Sequence, residues 1–242
     1  MGREGPRDGP GGGSTADRRS RGTNGGLQCS PDRSFESAGG VMNHREYFDQ
    51  IAAEWDGLLE ERTIARLREI VAGLEIEPGA VVLDLGCGTG VLFPMLLEKV
   101  GRKGCVVALD ISGGMLKQAR AKGYPVEYVQ GDAQNLPIQD NTFDWVICNS
   151  VFPHFLDKLR ALREIHRVLK DGGRLVICHT ASRETINEIH RSIGGVVAND
   201  TIPPTEEVLH LLQDAGLDRA VVRDEPDRYL VLACRENAGR GG

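Results

Sequence analysis

The chain has 242 residues, is 40% hydrophobic and 26% charged, and carries a formal net charge of −6. That balance suits a globular domain with one well-packed core and argues against nucleic acid or an anionic membrane as the main partner; no run approaches eighteen apolar residues, and no apolar segment near the start resembles a secretory leader. The six cysteines are scattered without a CxxC pair, which speaks against a disulfide framework or a thiolate zinc site and points to a reducing cytoplasm.

Residues 1–41 are rich in Gly, Arg, Ser, Asp and Pro. Such a segment buries too little apolar surface to offset its ordering entropy and is expected to be disordered, as is the tail 237–242. The functional unit is expected to start at Met42 and to run to residue 236. Its first element, "MNHREYFDQIAAEWDGLL", spaces Tyr47, Ile51, Trp55 and Leu58 along one face of a single helix. A second helix, "RTIARLREIVAGL", ends at Gly73 and is followed by Pro78-Gly79. Five short apolar strands then follow at 80–86, 104–110, 126–132, 143–150 and 173–180, with helices at 90–100, 112–122 and 157–169 between them. This alternation predicts a parallel sheet covered on both faces. After a helix near 205–215, "DRAVVRDEPDRYLVLACR" reads as two strands joined by a Glu-Pro-Asp turn, an antiparallel hairpin.

The loop "GCGTG" leaves the first strand and opens the next helix, so it lies in the crevice where open parallel sheets bind ligands. Gly86, Gly88 and Gly90 give GxGxG, with Val91 where a dinucleotide fingerprint has its last glycine. Three acids mark successive strand ends. Asp84 precedes the loop, an awkward charge beside a pyrophosphate. Asp110 ends the second strand, placed to accept hydrogen bonds from a ribose diol, although capping of the following helix is a competing role. Asp132 ends the third strand, placed to accept from an adenine amino group. Carboxylates so placed suit a cationic or neutral nucleoside better than a phosphorylated one. Cys87 reads as a small loop filler.

"VVLDLGCGTG", "ALDIS", "GDAQNLP" and "FDWVICNSVF", in this order, resemble the class I S-adenosylmethionine-dependent methyltransferases, and "EIHRVLKDGGRLVI" is similar to the segment leading into that family's fifth strand. The resemblance covers roughly residues 43–235. It implies an α/β, doubly wound, Rossmann-like fold, with a seven-stranded, mostly parallel sheet whose last strand is antiparallel and helices on both faces. It implies S-adenosylmethionine as cofactor, with Asp84 and the Gly86–Gly90 backbone, including Cys87, around its methionine part and Asp110 on the ribose. Ile111 and Met115 would pack near the adenine, Asp132 and Ala133 would meet its edge, and Asn149 would line the methionine side.

For the acceptor, His154 in "SVFPHF" and His179 in "VICHT" are candidate general bases, with packing or loop-orienting roles as the alternative. On "SRETINEIHRSIGG", Arg183, Asn187 and His190 share one helical face; Arg183 would clamp an anionic substrate, while the stripe also suits a solvated face. Tyr47 or Phe48 would shield the sulfonium through a ring face. Residues 181–204 would form a substrate lid. A metal site on His179 and His190 lacks a third ligand, so none is expected. No Asn-Pro-Pro-Tyr segment follows the fourth strand, no Pro-Cys pair marks cytosine methylation and no cysteine cluster supports arsenic chemistry. A small-molecule acceptor is therefore the leading reading, in a protein that is not expected to bind nucleic acid and that could self-associate as a homo-oligomer. The rivals are a non-catalytic cofactor-binding subunit and an NAD-dependent oxidoreductase using the same crevice.

Overall fold

The structure is a computed structural model that describes residues 42–236; the expected disordered segments lie outside the described residues. Seven strands form one sheet: β1 (Val81–Leu85), β2 (Cys105–Asp110), β3 (Glu127–Gln130), β4 (Phe143–Asn149), β5 (Leu169–His179), β6 (Leu217–Glu225) and β7 (Arg228–Arg235). Their order is β3-β2-β1-β4-β5-β7-β6. The first five pair in parallel, and β7 runs antiparallel to both its neighbours. The expected α/β doubly wound sheet with a terminal hairpin is therefore present. The order reverses at β1, which pairs with β2 on one side and β4 on the other, so the crevice opens beyond the carboxyl ends of β1 and β4.

Seven α-helices accompany the sheet among the described residues: α1 (His44–Ile51), α2 (Glu61–Ala72), α3 (Phe93–Val100), α4 (Gly113–Ala121), α5 (Lys158–Val168), α6 (Arg183–Ile193) and α7 (Thr205–Asp214). Successive strand residues point to opposite faces, and the core divides accordingly. Leu83 and Leu85 of β1 belong to the cluster that buries Leu162 and Ile165 of α5 and Val208 and Leu212 of α7. Val82, one residue away, packs instead with Leu67 and Ile70 of α2 and Leu96 of α3. Both faces are thus apolar, which explains why the strands read as continuous hydrophobic runs.

Two local expectations are corrected. The segment 42–58 is not one helix. α1, which Asn43 and Glu46 start with a reciprocal capping box, stops at Ile51, and a 3-10 turn at Trp55–Leu58 follows. The break aims Asp56 at Thr89 Oγ1, which donates to it, and at Lys122 Nζ, 2.7 Å away; a continuous helix would carry it elsewhere. At the other boundary, α5 ends at Val168 and β5 begins at once at Leu169, four residues before the expected strand. The pairing of β4 with β5 is irregular there, between Phe143 and Trp145, beside Gly172 at φ 78°.

Candidate active site

A cavity of about 220 Å³ occupies the crevice. One half of it is built from the tips of β1, β2 and β4. Gly86 turns at φ 74°, and its backbone N–H donates to Leu109 O at 2.7 Å, which folds the loop back over β2. A Cβ on Gly86 would stand 2.3 Å from Val151 Cγ2, so only glycine fits. Gly88 donates its N–H to Asp110 Oδ2 at 2.8 Å, and Ser112 donates its own to Asp110 Oδ1 at 2.8 Å. Asp110 is 8% exposed, and burial raises its pKa while those backbone donors pull it down. Each oxygen takes one backbone donor and keeps lone-pair capacity, which suits the two hydroxyls of a ribose. The capping alternative falls to a neighbour: Ser112 Oγ accepts from Met115 N, and Asp49 Oδ1 of α1 accepts from Ser112 Oγ at 2.6 Å and from Gly114 N at 2.7 Å.

Cys87, Ile111, Met115, Asp132, Ala133 and Asn149 line the cavity beside Gly86, Gly88 and Asp110. Burial carries the Cys87 thiol far above the ordinary range, with Asp84 and Asp110 adding to it, which leaves it an inert filler. Asp132 Oδ1 accepts from Gln134 N at 2.9 Å within its own turn. Two residues sit elsewhere than expected. Gly90 is not on the cavity wall; its missing Cβ makes room for the Phe93 ring, 2.2 Å from where that atom would be. Asp84 lies beneath the loop and off the wall, 1% exposed, with no hydrogen-bond partner for either oxygen; burial, then repulsion from Asp110, raises its pKa to about 8.

The opposite half gathers four imidazoles, those of His44, His154, His179 and His190. His154 stands on a 3-10 turn after β4 whose Pro153 and Phe155 carbonyls both accept from Lys158 Nζ. Its Nδ1 lies 2.6 Å from Asp200 Oδ2, and His44 Nε2 lies 2.8 Å from the same oxygen. His190 Nδ1 donates to the Asp200 backbone carbonyl at 2.7 Å. Ligating atoms of His44, His154 and Asp200 come within 4.8 Å of one another, a trio also able to hold a metal ion. His179 is 2% exposed and its Nε2 has no partner; burial and the nearby His154 and His190 lower its pKa to about 3.

Tyr47, Phe48 and Trp55 roof the cavity in edge-to-face contacts, 5.2 Å and 6.0 Å between successive centroids, and Phe48 meets the His154 ring at 5.1 Å. Arg183 is not on the wall. It faces Asp224 of β6, with its N–H donating to Oδ1 at 2.9 Å and its Nε 3.8 Å from Oδ2, so the anionic clamp is not in place. Among the described residues, no Lys or Arg lines the cavity. His44, Asp49 and Asp200 escaped the sequence reading. Asp200 lies in an irregular loop with no motif around it, and the only signal for His44 was its place three residues before Tyr47 on an amphipathic helix.

Comparison with known proteins agrees with this geometry. A methyltransferase domain model matches residues 83–177. A demethylmenaquinone methyltransferase of Staphylococcus epidermidis is 37% identical over 147 residues, which is 57% of this chain and 60% of that protein, so the chain spans less than two thirds of its length. A ubiquinone/menaquinone biosynthesis C-methyltransferase of an Enterobacter species is 35% identical over 204 residues, 71% of this chain and 81% of the relative. Among solved structures, an Aquifex aeolicus SAM-dependent methyltransferase superposes with a TM-score of 0.61 at 26% identity, over 76% of this chain and 98% of that one. A Haloferax volcanii methyltransferase, solved in complex with the Trm112 activator, shares the fold with a TM-score of 0.69 at 22% identity, over 82% and 100% of the two chains. With the glycine loop, the carboxylate at the second strand tip and the terminal antiparallel strand in place, the chain belongs to the class I S-adenosylmethionine-dependent methyltransferases.

Proposed function

We propose that this protein transfers a methyl group from S-adenosylmethionine to an apolar small molecule bearing a ring hydroxyl, of the class of a reduced demethylmenaquinone. One observation carries the reading: a single cavity runs from Asp110 at the tip of β2 to His154, with mostly apolar walls and, among the described residues, no Lys or Arg between. The residues suit the cofactor, because Asp110 retains acceptor capacity for a diol and Gly88 presents backbone where a Cβ would meet only Trp55 Nε1 at 3.8 Å. When bound, S-adenosylmethionine supplies an electrophilic methyl on a sulfonium.

The chain's own groups do the rest. Asp110 orients the nucleoside, with Ile111 and Met115 against the base and Asp132 and Ala133 at its edge. Asn149, held by Cys178 Sγ at 3.7 Å from its Oδ1, lines the methionine side. The roof of Tyr47, Phe48 and Trp55 excludes water and sets ring edges and faces against the reacting centre. Holding nucleophile and methyl in line is worth up to roughly 7–11 kcal/mol, and a base adds about 10²–10⁴-fold where a proton must leave. His154 is the better base of the two candidates. Burial lowers its pKa, so it is neutral at pH 7, whereas His179 at about 3 holds a proton too weakly. The relatives named for menaquinone biosynthesis, and walls that include Ile186, Ile189, Ile193 and Val197, support a ring acceptor over a charged metabolite.

The test is incubation with methyl-labelled cofactor and bacterial lipid extract, followed by identification of the labelled product. Label in a quinol fraction is expected; label confined to RNA, protein or polar metabolites would refute the acceptor class.

A further inference from the structure

We propose that Asp200 is a positioning residue for this reaction, fixing His154 as the Nδ1–H tautomer so that its Nε2 lone pair faces the acceptor, and that His44 of α1 completes the arrangement; the proposal rests on the methyl-transfer reading. A carboxylate only accepts, so each imidazole nitrogen that faces it carries the hydrogen. His154 Nδ1, 2.6 Å from Oδ2, is therefore an N–H, and so is His44 Nε2, which contacts both oxygens at 2.8 and 3.0 Å. That leaves the Nε2 of His154, a residue of the cavity lining, unprotonated.

The surroundings hold Asp200 to this role. Asp200 is 8% exposed. Its N–H donates to Val197 O at 3.0 Å, and its carbonyl accepts from His190 Nδ1 at 2.7 Å. Two residues on, Ile202 is pinned by Asn187 of α6, whose Oδ1 accepts from Ile202 N at 2.8 Å and whose Nδ2 donates to Ile202 O at 3.0 Å. A largely buried network that pairs the carboxylate, N–H and carbonyl of Asp200 is rigid, and rigidity is what a base orienter needs. Burial pushes the Asp200 carboxyl up, but the hydrogen bonds from His154 and His44 carry it well below the usual range, so it stays ionised. His44 arrives from a different element, the helix that roofs the cavity, so the full set of donors exists only while α1 is seated. In the step itself, the acceptor hydroxyl proton passes to His154 Nε2 and the oxygen's electron pair is delocalised into the ring. The adjacent ring carbon forms the bond to the methyl carbon, and the hydrogen on that carbon then leaves as a proton to water as the ring regains its aromaticity. The carbon–sulfur bond breaks with its pair left on sulfur, and imidazolium charge is offset by Asp200.

Two-bond ¹⁵N–¹H spectra of the full chain at neutral pH, with the His154 signals assigned by their loss in His154→Gln, read the tautomer directly. Protonated Nδ1 and bare Nε2 are expected; a protonated Nε2, or one equivalent of zinc in the purified protein, would overturn the proposal. In Asp200→Asn the carboxylate charge is gone and an amide NH2, which only donates, replaces one of its oxygens, so a donor can turn toward an imidazole nitrogen and favour the other tautomer. The fixed tautomer should be lost and kcat for methylation of reduced demethylmenaquinone should fall roughly 10²-fold, the lower edge of a general base's contribution, while affinity for S-adenosylhomocysteine by calorimetry stays within about twofold. An unchanged kcat would sink the role. Should Asp200→Asn fail to fold, the wild-type spectrum decides alone. Should the wild type leave the quinol unmethylated, the acceptor assignment fails and the tautomer result still stands, because it needs no acceptor.

Discussion

Asp110 takes hydrogen bonds from two directions: Gly88 across the loop and Ser112 along its own chain. The carboxylate therefore shapes the glycine loop as well as being proposed to meet the ribose. Asp110→Asn replaces one acceptor oxygen by a donor that faces a backbone N–H. Cofactor affinity should fall by about 1.5–3 kcal/mol, the cost typical of losing hydrogen bonds to a charged group. Isothermal calorimetry with S-adenosylhomocysteine checks this; an unchanged dissociation constant would remove Asp110 from the site. Gly90 teaches the opposite lesson. It belongs to the same motif, yet its conformation at φ 86° and the Phe93 ring beside it serve packing.

At the scale of elements, α1 is tied down at both ends. Near its start, His44 reaches Asp200 beside the His154 end of the cavity. Near its end, Asp49 accepts from Ser112 and Gly114 at the N-terminus of α4, beside Asp110. Between these ties, Tyr47 and Phe48 face the cavity. None of the residues of α1 is fully buried, so few apolar contacts hold the helix and the polar ties matter. Asp49→Ala removes one tie and leaves the α4 N-terminus with Ser112 alone. Loss of about 1–2 kcal/mol of local stability is expected, read as faster amide hydrogen exchange across residues 44–51 with the β-strand amides unchanged. Equal rates in both proteins would show that aromatic packing alone seats the helix.

Across the whole molecule, two buried groups give stability a pH dependence of opposite sign. Asp84 keeps its proton in the fold up to about pH 8, whereas an unfolded chain releases it near 3.8. Its contribution is complete below 3.8 and is lost as pH rises through 8. His179 stays neutral in the fold down to about 3, whereas the unfolded chain takes up a proton below 6.5. Its contribution is present above 6.5 and is lost as pH falls toward 3. Between 3.8 and 6.5 the two oppose each other; above 6.5 only the Asp84 slope remains of the pair. The cofactor-free protein should lose on the order of 2 kcal/mol between pH 6.5 and 8, and Asp84→Asn should flatten that slope. Thermal unfolding at the two pH values measures it, and an equal decline in the variant would mean that Asp84 is not the source. No helix among the described residues is long and apolar enough to cross a membrane.

Much of this was legible in the linear chain. Strand-length apolar runs, helical spacing between them and the Gly86–Gly90 loop at a strand end are local signals, and local backbone chemistry is what they report; hence the parallel sheet, the terminal hairpin and the strand-tip acid Asp110 follow from reading alone. The acceptor side was not legible in the same way. His44, His154, His190 and Asp200 lie up to 156 residues apart, and no periodicity links an irregular loop to a helix on the far side of the domain. Whether Arg183 faces the cavity or Asp224, and whether 42–58 runs as one helix or breaks so that Asp56 meets Thr89 and Lys122, depends on partners delivered by other elements. Sequence determines where backbone must turn and which faces must be buried. Only tertiary packing decides which polar side chains meet, because each such meeting is a competition among partners that the chain brings together after it has folded.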